Sequence, residues 1–408
     1  MKVTRESGRH PFKPLLIGLA FLGFIGIGLP DGLLGVAWPA MRASFGLPLE
    51  ALGGLLMMYT AGYLISSFSS GRLLARLSVG SLLALSCLAT GISLSGYALT
   101  AHWRVVLLLG ILAGLGAGAI DAGLNTYAAT HFSPQLVNWL HAFYGIGAFS
   151  GPWLMTRVLA SGHTWQPGYT IVGIGQLALA LCFGLTYRQW NDHDTARQDK
   201  LAAESVKAET SNSTLRLPVV WFSVAVFFVY TGIEAAAGAW AYSLFTEARG
   251  IPIMTAGKWI SIYWGALTLG RICSALIAGL VPVRRLLRCC MIGQAVGATL
   301  LWFDLSRLSS FTGLALIGLA SAPIFPSLIA STPQRLGQQH TTNGVGFQIA
   351  AAVLGQSLLP ALTGVLADRF GLEVIGPALL VAVLILFALH ETMPAVSPGV
   401  ARATHPPA

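Results

Sequence analysis

RVVLLLGILAGLGAGAIDAGLNTYAAT, residues 104–130, carries a single carboxylate, Asp121, in an otherwise apolar run behind Arg104. An α-helix rises about 1.5 Å per residue, and about 20 apolar residues cross the roughly 30 Å hydrocarbon core of a bilayer. The stretch therefore reads as a membrane-spanning helix. Asp121 and Asn125 stand four apart and share one helical face. Gly114, Gly116 and Gly118 leave no side chains to hold neighbouring helices away.

Working outward, eleven further runs have similar length and character. The twelve lie at about 14–42, 50–70, 80–100, 104–130, 136–160, 168–187, 217–246, 255–280, 286–304, 310–331, 343–367 and 372–391. Composition agrees with them: of 408 residues 55% are apolar and 10% charged, against about 25% charged in ordinary soluble domains. Mean hydropathy is +0.70. The first run follows Lys2, Arg5, Arg9 and Lys13 but is too long for a secretory signal and contains Asp31, so it is read as a span. The fold class is an all-α membrane protein of twelve transmembrane helices in two pseudo-symmetric six-helix bundles. Residues 1–188 form the first bundle, 189–216 a polar cytoplasmic linker, 217–393 the second bundle and 394–408 a disordered tail.

Net charge is +9, and its placement argues against nucleic acid. With both termini inside, seventeen Lys and Arg fall in or near inner loops, Arg72, Arg76, Arg271 and Arg284 among them, against seven in outer ones. That asymmetry sets both termini in the cytoplasm. Short loops favour a bacterial inner membrane; a monomer is expected, with no loop or motif that encodes it. The five cysteines sit in or beside apolar runs without metal-ligand spacing and read as small apolar fillers. There is no phosphate-binding Gly-x-x-x-x-Gly-Lys loop, nor a nucleophile–base pair, so no catalytic residue, cofactor or metal is assigned. A membrane-embedded enzyme has no support.

The two halves repeat each other. Pro14, Asp31 and Trp38 in span one match Pro218, Glu234 and Trp240 in span seven; Gly71-Arg72 matches Gly270-Arg271; Gly147 and Pro152 match Gly355 and Pro360. Parallel copies around a linker place a solute site between them near the bilayer midplane. Asp31, Asp121 and Glu234 are the carboxyls well inside spans, where an ionised group is costly and tends to carry function. His141 in span five adds a second titratable type beside Asp121. Gln348 and Gln356 in span eleven, read as nearly in line, suit contact with hydroxylated ligands or helix bridging. Trp38 offers a flat face for a ligand or an interfacial anchor, and Pro323 and Pro326 weaken span ten.

Several motifs resemble the Major Facilitator Superfamily, and within it the fucose:proton symporter branch, over essentially the whole chain. They are Gly28-Leu-Pro-Asp31-Gly, Gly116-x-Gly118-x-x-Asp121-x-x-x-Asn125, Leu140-His141-x-x-x-Gly145-x-Gly147, Gly232-x-Glu234-x-x-x-Gly238-x-Trp240 and Gly364-Val-Leu-Ala-Asp368-Arg369-Phe-Gly371. The resemblance implies a secondary transporter of a sugar or similar small polar solute, with protons as co-substrate and Asp31 and Asp121 serving binding and coupling. Substrate contacts then fall to Asp31, Asn125, His141, Glu234, Gln348, Gln356 and Trp38. The chain departs from the superfamily pattern at Gly71-Arg-Leu-Leu-Ala75-Arg76, where Ala stands at the usual acid. Gly147-x-x-x-Gly151-Pro152 resembles a motif of antiporters and keeps a drug or metabolite exporter as the alternative.

Overall fold

In the lipid core no water is present to satisfy backbone N–H and C=O groups, so each apolar run must satisfy its own by coiling. The computed structural model describes residues 14–74, 76–190, 211–277 and 280–393; among these every long element is helical and no strand occurs. The twelve long helices are α1 (Pro14–Phe45), α2 (Ala51–Leu74), α3 (Val79–Leu99), α4 (Trp103–His131), α5 (Pro134–Ala160), α6 (Gln166–Thr186), α7 (Pro218–Ser243, prolonged by a π-turn at Leu244–Ala248), α8 (Ile253–Ile277), α9 (Val283–Phe303), α10 (Arg307–Leu336), α11 (Gln338–Phe370) and α12 (Ile375–Thr392). They coincide with the twelve runs read from sequence to within a few residues. Ten are long and apolar enough to cross a membrane by length and composition. The exceptions, α5 and α8, carry more polar side chains, several of which face the interior.

Local chemistry sets the ends. The Ser133 hydroxyl accepts a bond from the Leu136 N–H at 3.4 Å, and Pro134 follows at the first helical position of α5. Ser306 and Ser309 bond each other's backbone N–H at 3.1 and 3.0 Å to open α10. Proline breaks α10 as anticipated: helix runs over Arg307–Ser321 and Ile324–Leu336, with Ala322 and Pro323 between. Gly371, at φ +83°, stops α11 in a conformation that side chains rarely adopt.

Packing repeats across the chain. In the first six helices α1 lies on α5, α2 on α4, and α3 on both α4 and α6; in the last six α7 lies on α11, α8 on α10, and α9 on both α10 and α12. Glycines set the close approaches. A methyl at Gly147 would strike the Ile25 carbonyl of α1, and one at Gly355 would strike the Phe228 carbonyl of α7. The sequence repeat thus marks one contact made twice. Gly114 and Gly118 sit against the α2 backbone at Tyr59 and Tyr63, whereas Gly116 sits against α3 at Ser86 and Thr90. The alternating glycines of α4 therefore serve two neighbours at once.

The two sets meet through α5 on α8, α2 on α11 and α1 on α7. Part of the polar segment 189–216 is ordered rather than free: Trp190 is buried against Phe183 and Tyr127, and Ser211–Leu215 is a short helix. Burial of an aromatic ring supplies ordering that the polar composition of the segment does not reveal. Residues 191–210 and the tail after 393 lie outside the described residues.

Candidate functional site

A cavity of about 980 Å³ separates the two helix sets. Its floor is the closed end of the molecule. There an ion pair joins Arg42, near the end of α1, to Glu247 beyond α7. Beside it the Asp368 carboxylate of α11 accepts the Leu49 N–H from the α1–α2 turn at 3.1 Å. Gly35 of α1 meets the Gly238 carbonyl of α7, and Gly257 of α8 meets Thr156 of α5. Towards the other end, where α1 begins, the cavity is lined by Trp139 in the second turn of α5 and by Val283 and Leu286 in the first turn of α9. Asp368 thus gives a structural role to the Gly364–Gly371 motif.

Each carboxyl inside the spans is held by a tyrosine. Tyr144 of α5 donates to Asp31 at 2.7 Å, and Tyr63 of α2 donates to Asp121 at 2.7 Å. Asn125 gives Asp121 a second bond at 2.8 Å, one helical turn along α4. Tyr230 donates to Glu234 at 2.5 Å from the preceding turn of α7, and its hydroxyl also lies 3.0 Å from the Ser321 carbonyl where α10 breaks. Neither Asp31 nor Asp121 has a Lys or Arg in ion-pair contact among the described residues, whereas Glu234 has Arg271 of α8 at 3.4 Å. Asp31, Asp121 and Glu234 all line the cavity, as do His141, Gln356, Trp264 and Arg271. His141 meets Phe24 of α1 edge-on, with ring centroids 5.4 Å apart.

Three expected contact residues fall elsewhere. Gln348 is 2% exposed and bonds Ser223 of α7 at 2.5 Å and Thr332 of α10 at 3.0 Å, so it bridges helices. Its distance from Gln356 explains the split: eight residues turn a helix by about 80° beyond two full turns and move about 12 Å along it. Trp38 is fully buried and packs on Trp103, away from the cavity. Asn125 reaches the site only through Asp121.

Arg271 is the opposite case. Counted with the inner charges though inside the eighth span, it stands within α8, which runs on to Ile277, while its repeat partner Arg72 is exposed two residues before the end of α2. The tyrosines also escaped the sequence reading. Only Tyr230, four residues before Glu234, left a local signal.

The match to known families is made by residues 20–280, which fit the model of the Major Facilitator Superfamily. The chain belongs to the Major Facilitator Superfamily. It is an integral membrane protein by that membership. Among curated relatives, it is similar to the Bypass of stop codon protein 6 of Saccharomyces cerevisiae, 23% identical over 72% of this chain and 64% of the yeast protein's length. It is also similar to the glucose/mannose transporter GlcP of Bacillus subtilis, 22% identical over 67% of this chain and 68% of that protein. The sodium-dependent glucose transporter 1 of Rattus norvegicus is 24% identical over 88% of this chain and 80% of its own length. Among solved structures, a bacterial homologue of the lysosomal transporter Spinster superposes with a TM-score of 0.75 at 13% identity, covering 98% of this chain and all of that one. The transporter FucP gives 0.61 at 16% identity over 93% and 99% of the two chains.

Proposed function

We propose that this superfamily member carries a sugar or similar small polar solute inward together with a proton, alternating access to its cavity between the two faces of a bacterial inner membrane. The observation that carries the reading is Asp121: a carboxyl in the cavity wall, bonded by Tyr63 and Asn125, with no Lys or Arg paired to it among the described residues. A charged group so placed is costly, and a proton removes the cost. Uptake of that proton from outside neutralises the wall and lets the loaded carrier reorient; release inside resets it. Asp31, on α1 and held by Tyr144 of α5, stands where a solute hydroxyl would meet it. The buried Trp264 Nε1 and the Gln176 Oε1 have no hydrogen-bond partner among the described residues.

The relatives named for glucose and mannose support a sugar-like solute. The preponderance of Lys and Arg in the loops assigned to the inside survives the relocation of Arg271 and supports cytoplasmic termini. With those termini inside, the cavity opens to the cytoplasm. The chain acts as a monomer with no cofactor. An exporter is less well supported, because Gly147 and Gly151 are accounted for by the close approach of α1.

The test uses purified protein in vesicles, with labelled glucose, fucose, gluconate and glucuronate outside. An inward proton gradient should drive accumulation of at least one of them, and a protonophore should abolish it. Dye efflux driven by the same gradient, without accumulation of any of these solutes, would overturn the proposal.

A further inference from the structure

A guanidinium inside a membrane protein is costly unless its donors are used. The chain contains an internal standard for a fully used one. Arg249, near the closed end, donates to both oxygens of Glu373 at 2.9 and 2.6 Å, to Ser310 at 3.0 Å and to the Leu301 carbonyl at 2.8 Å. Its side chain is 5% exposed. Arg271 is unlike it. Its side chain is 30% exposed, and the Glu234 contact is a single one at 3.4 Å, long against the roughly 2.7–2.9 Å of a charge-assisted bond. The other Glu234 oxygen is already taken by Tyr230. Among the described residues, Arg271 is also the one Lys or Arg that lines the cavity. Arg271 therefore lines the cavity with only Glu234 and the Tyr230 hydroxyl against its fork, and its remaining donors have no hydrogen-bond partner among the described residues.

We propose that the solute is a hydroxylated monocarboxylate, a sugar acid, whose carboxylate is held by Arg271 while its hydroxyls meet Asp31 and Gln356. This rests on the reading of the cavity as the solute site and narrows its chemistry. A planar guanidinium matches a carboxylate with two parallel bonds, which a neutral hydroxyl cannot return. A single cation already shared with Glu234, in a wall that also carries Asp31 and Asp121, takes one added negative charge at less cost than the two of a sugar phosphate. Glu234 then acts as a competitor: it loosely occupies one edge of the fork and repels an incoming anion. Removing its charge should favour the acid, whereas removing the charge of Arg271 should disfavour it. Two variants of adjacent residues should thus move affinity in opposite directions, an outcome that a purely structural ion pair would not produce.

The experiment is equilibrium binding to full-length purified protein of labelled gluconate, glucuronate, glucose and glucose 6-phosphate, with size-exclusion profiles of every variant. Gluconate or glucuronate should bind at least about tenfold more tightly than glucose, and glucose 6-phosphate should compete poorly. Arg271→Gln should weaken the acid by about 30-fold and leave the neutral sugar within about threefold; Glu234→Gln should tighten the acid. Arg271→Lys, which keeps the charge and loses the fork, should fall between, and it stands in if Arg271→Gln does not fold. Binding of glucose in preference to both acids, or acid binding indifferent to Arg271, overturns this assignment and leaves the sugar carrier standing. Binding of none of the four overturns both.

Discussion

Removing two contacts at the closed mouth should let the empty carrier open there. Arg42–Glu247 and Leu49–Asp368 each tie the first helix set to the second, so each stabilises only the state in which that mouth is shut. The ion pair is about one-quarter exposed on either side, which places it in the range of surface pairs, about 0.5 kcal/mol. The bond from the Leu49 N–H is made to a charged acceptor in a half-buried turn, and its loss costs about 1.5 kcal/mol. Together, Arg42→Gln with Asp368→Ala should destabilise the closed mouth by about 2 kcal/mol, a shift of about 30-fold between the two states. Spin labels on the exposed positions 43 and 248, in a background without the native cysteines, report the separation of the two rims. The double variant should show a second, longer distance population that is minor or missing with the latch intact. A single short distance in both proteins would refute the view that these contacts hold the mouth.

Asp31→Asn should damage solute binding and exchange together, because the carboxylate faces the cavity and accepts from Tyr144; equilibrium binding and counterflow measured side by side check it. Gly114→Val would drive a side chain into the Tyr59 carbonyl of α2, and overpacking of this kind costs about 1–3 kcal/mol or more. A lower thermal midpoint in detergent, with a distorted Tyr63–Asp121 pair and weaker binding, is expected. Trp240→Phe removes a bond of 2.8 Å from a fully buried ring to the Pro360 carbonyl, so thermal unfolding should show a loss of about 1–3 kcal/mol with transport intact at lower temperature.

The twelve helices were legible because a bilayer imposes one rule on length and polarity at once, and the runs obey it. The repeat was legible too, since Gly147 and Gly355 occupy equivalent helix contacts. Side-chain partners were less so. Tyr63 and Tyr144 meet their carboxyls across distances of 58 and 113 residues in the chain, and no local spacing encodes such pairs. Arg271 was counted with the inner-loop charges although the eighth span, 255–280, already contained it: a tally of charges by side does not separate a residue inside a helix from one beyond its end. Gln348 and Trp38 show the converse: a polar or aromatic residue in a span has a face, but sequence alone does not say whether that face meets a cavity or a neighbouring helix.

The central claim is that Asp121 links solute movement to proton movement. It is tested most directly with Asp121→Asn in reconstituted vesicles, measuring solute exchange and pH-driven accumulation on the same preparation. Asparagine keeps the size of the side chain and can still accept from Tyr63, but it does not titrate. The variant should bind the solute and exchange it across the membrane, since neither step moves a net proton. It should fail to concentrate the solute when the outside is acidified. Accumulation equal to that of the unaltered protein would contradict the account.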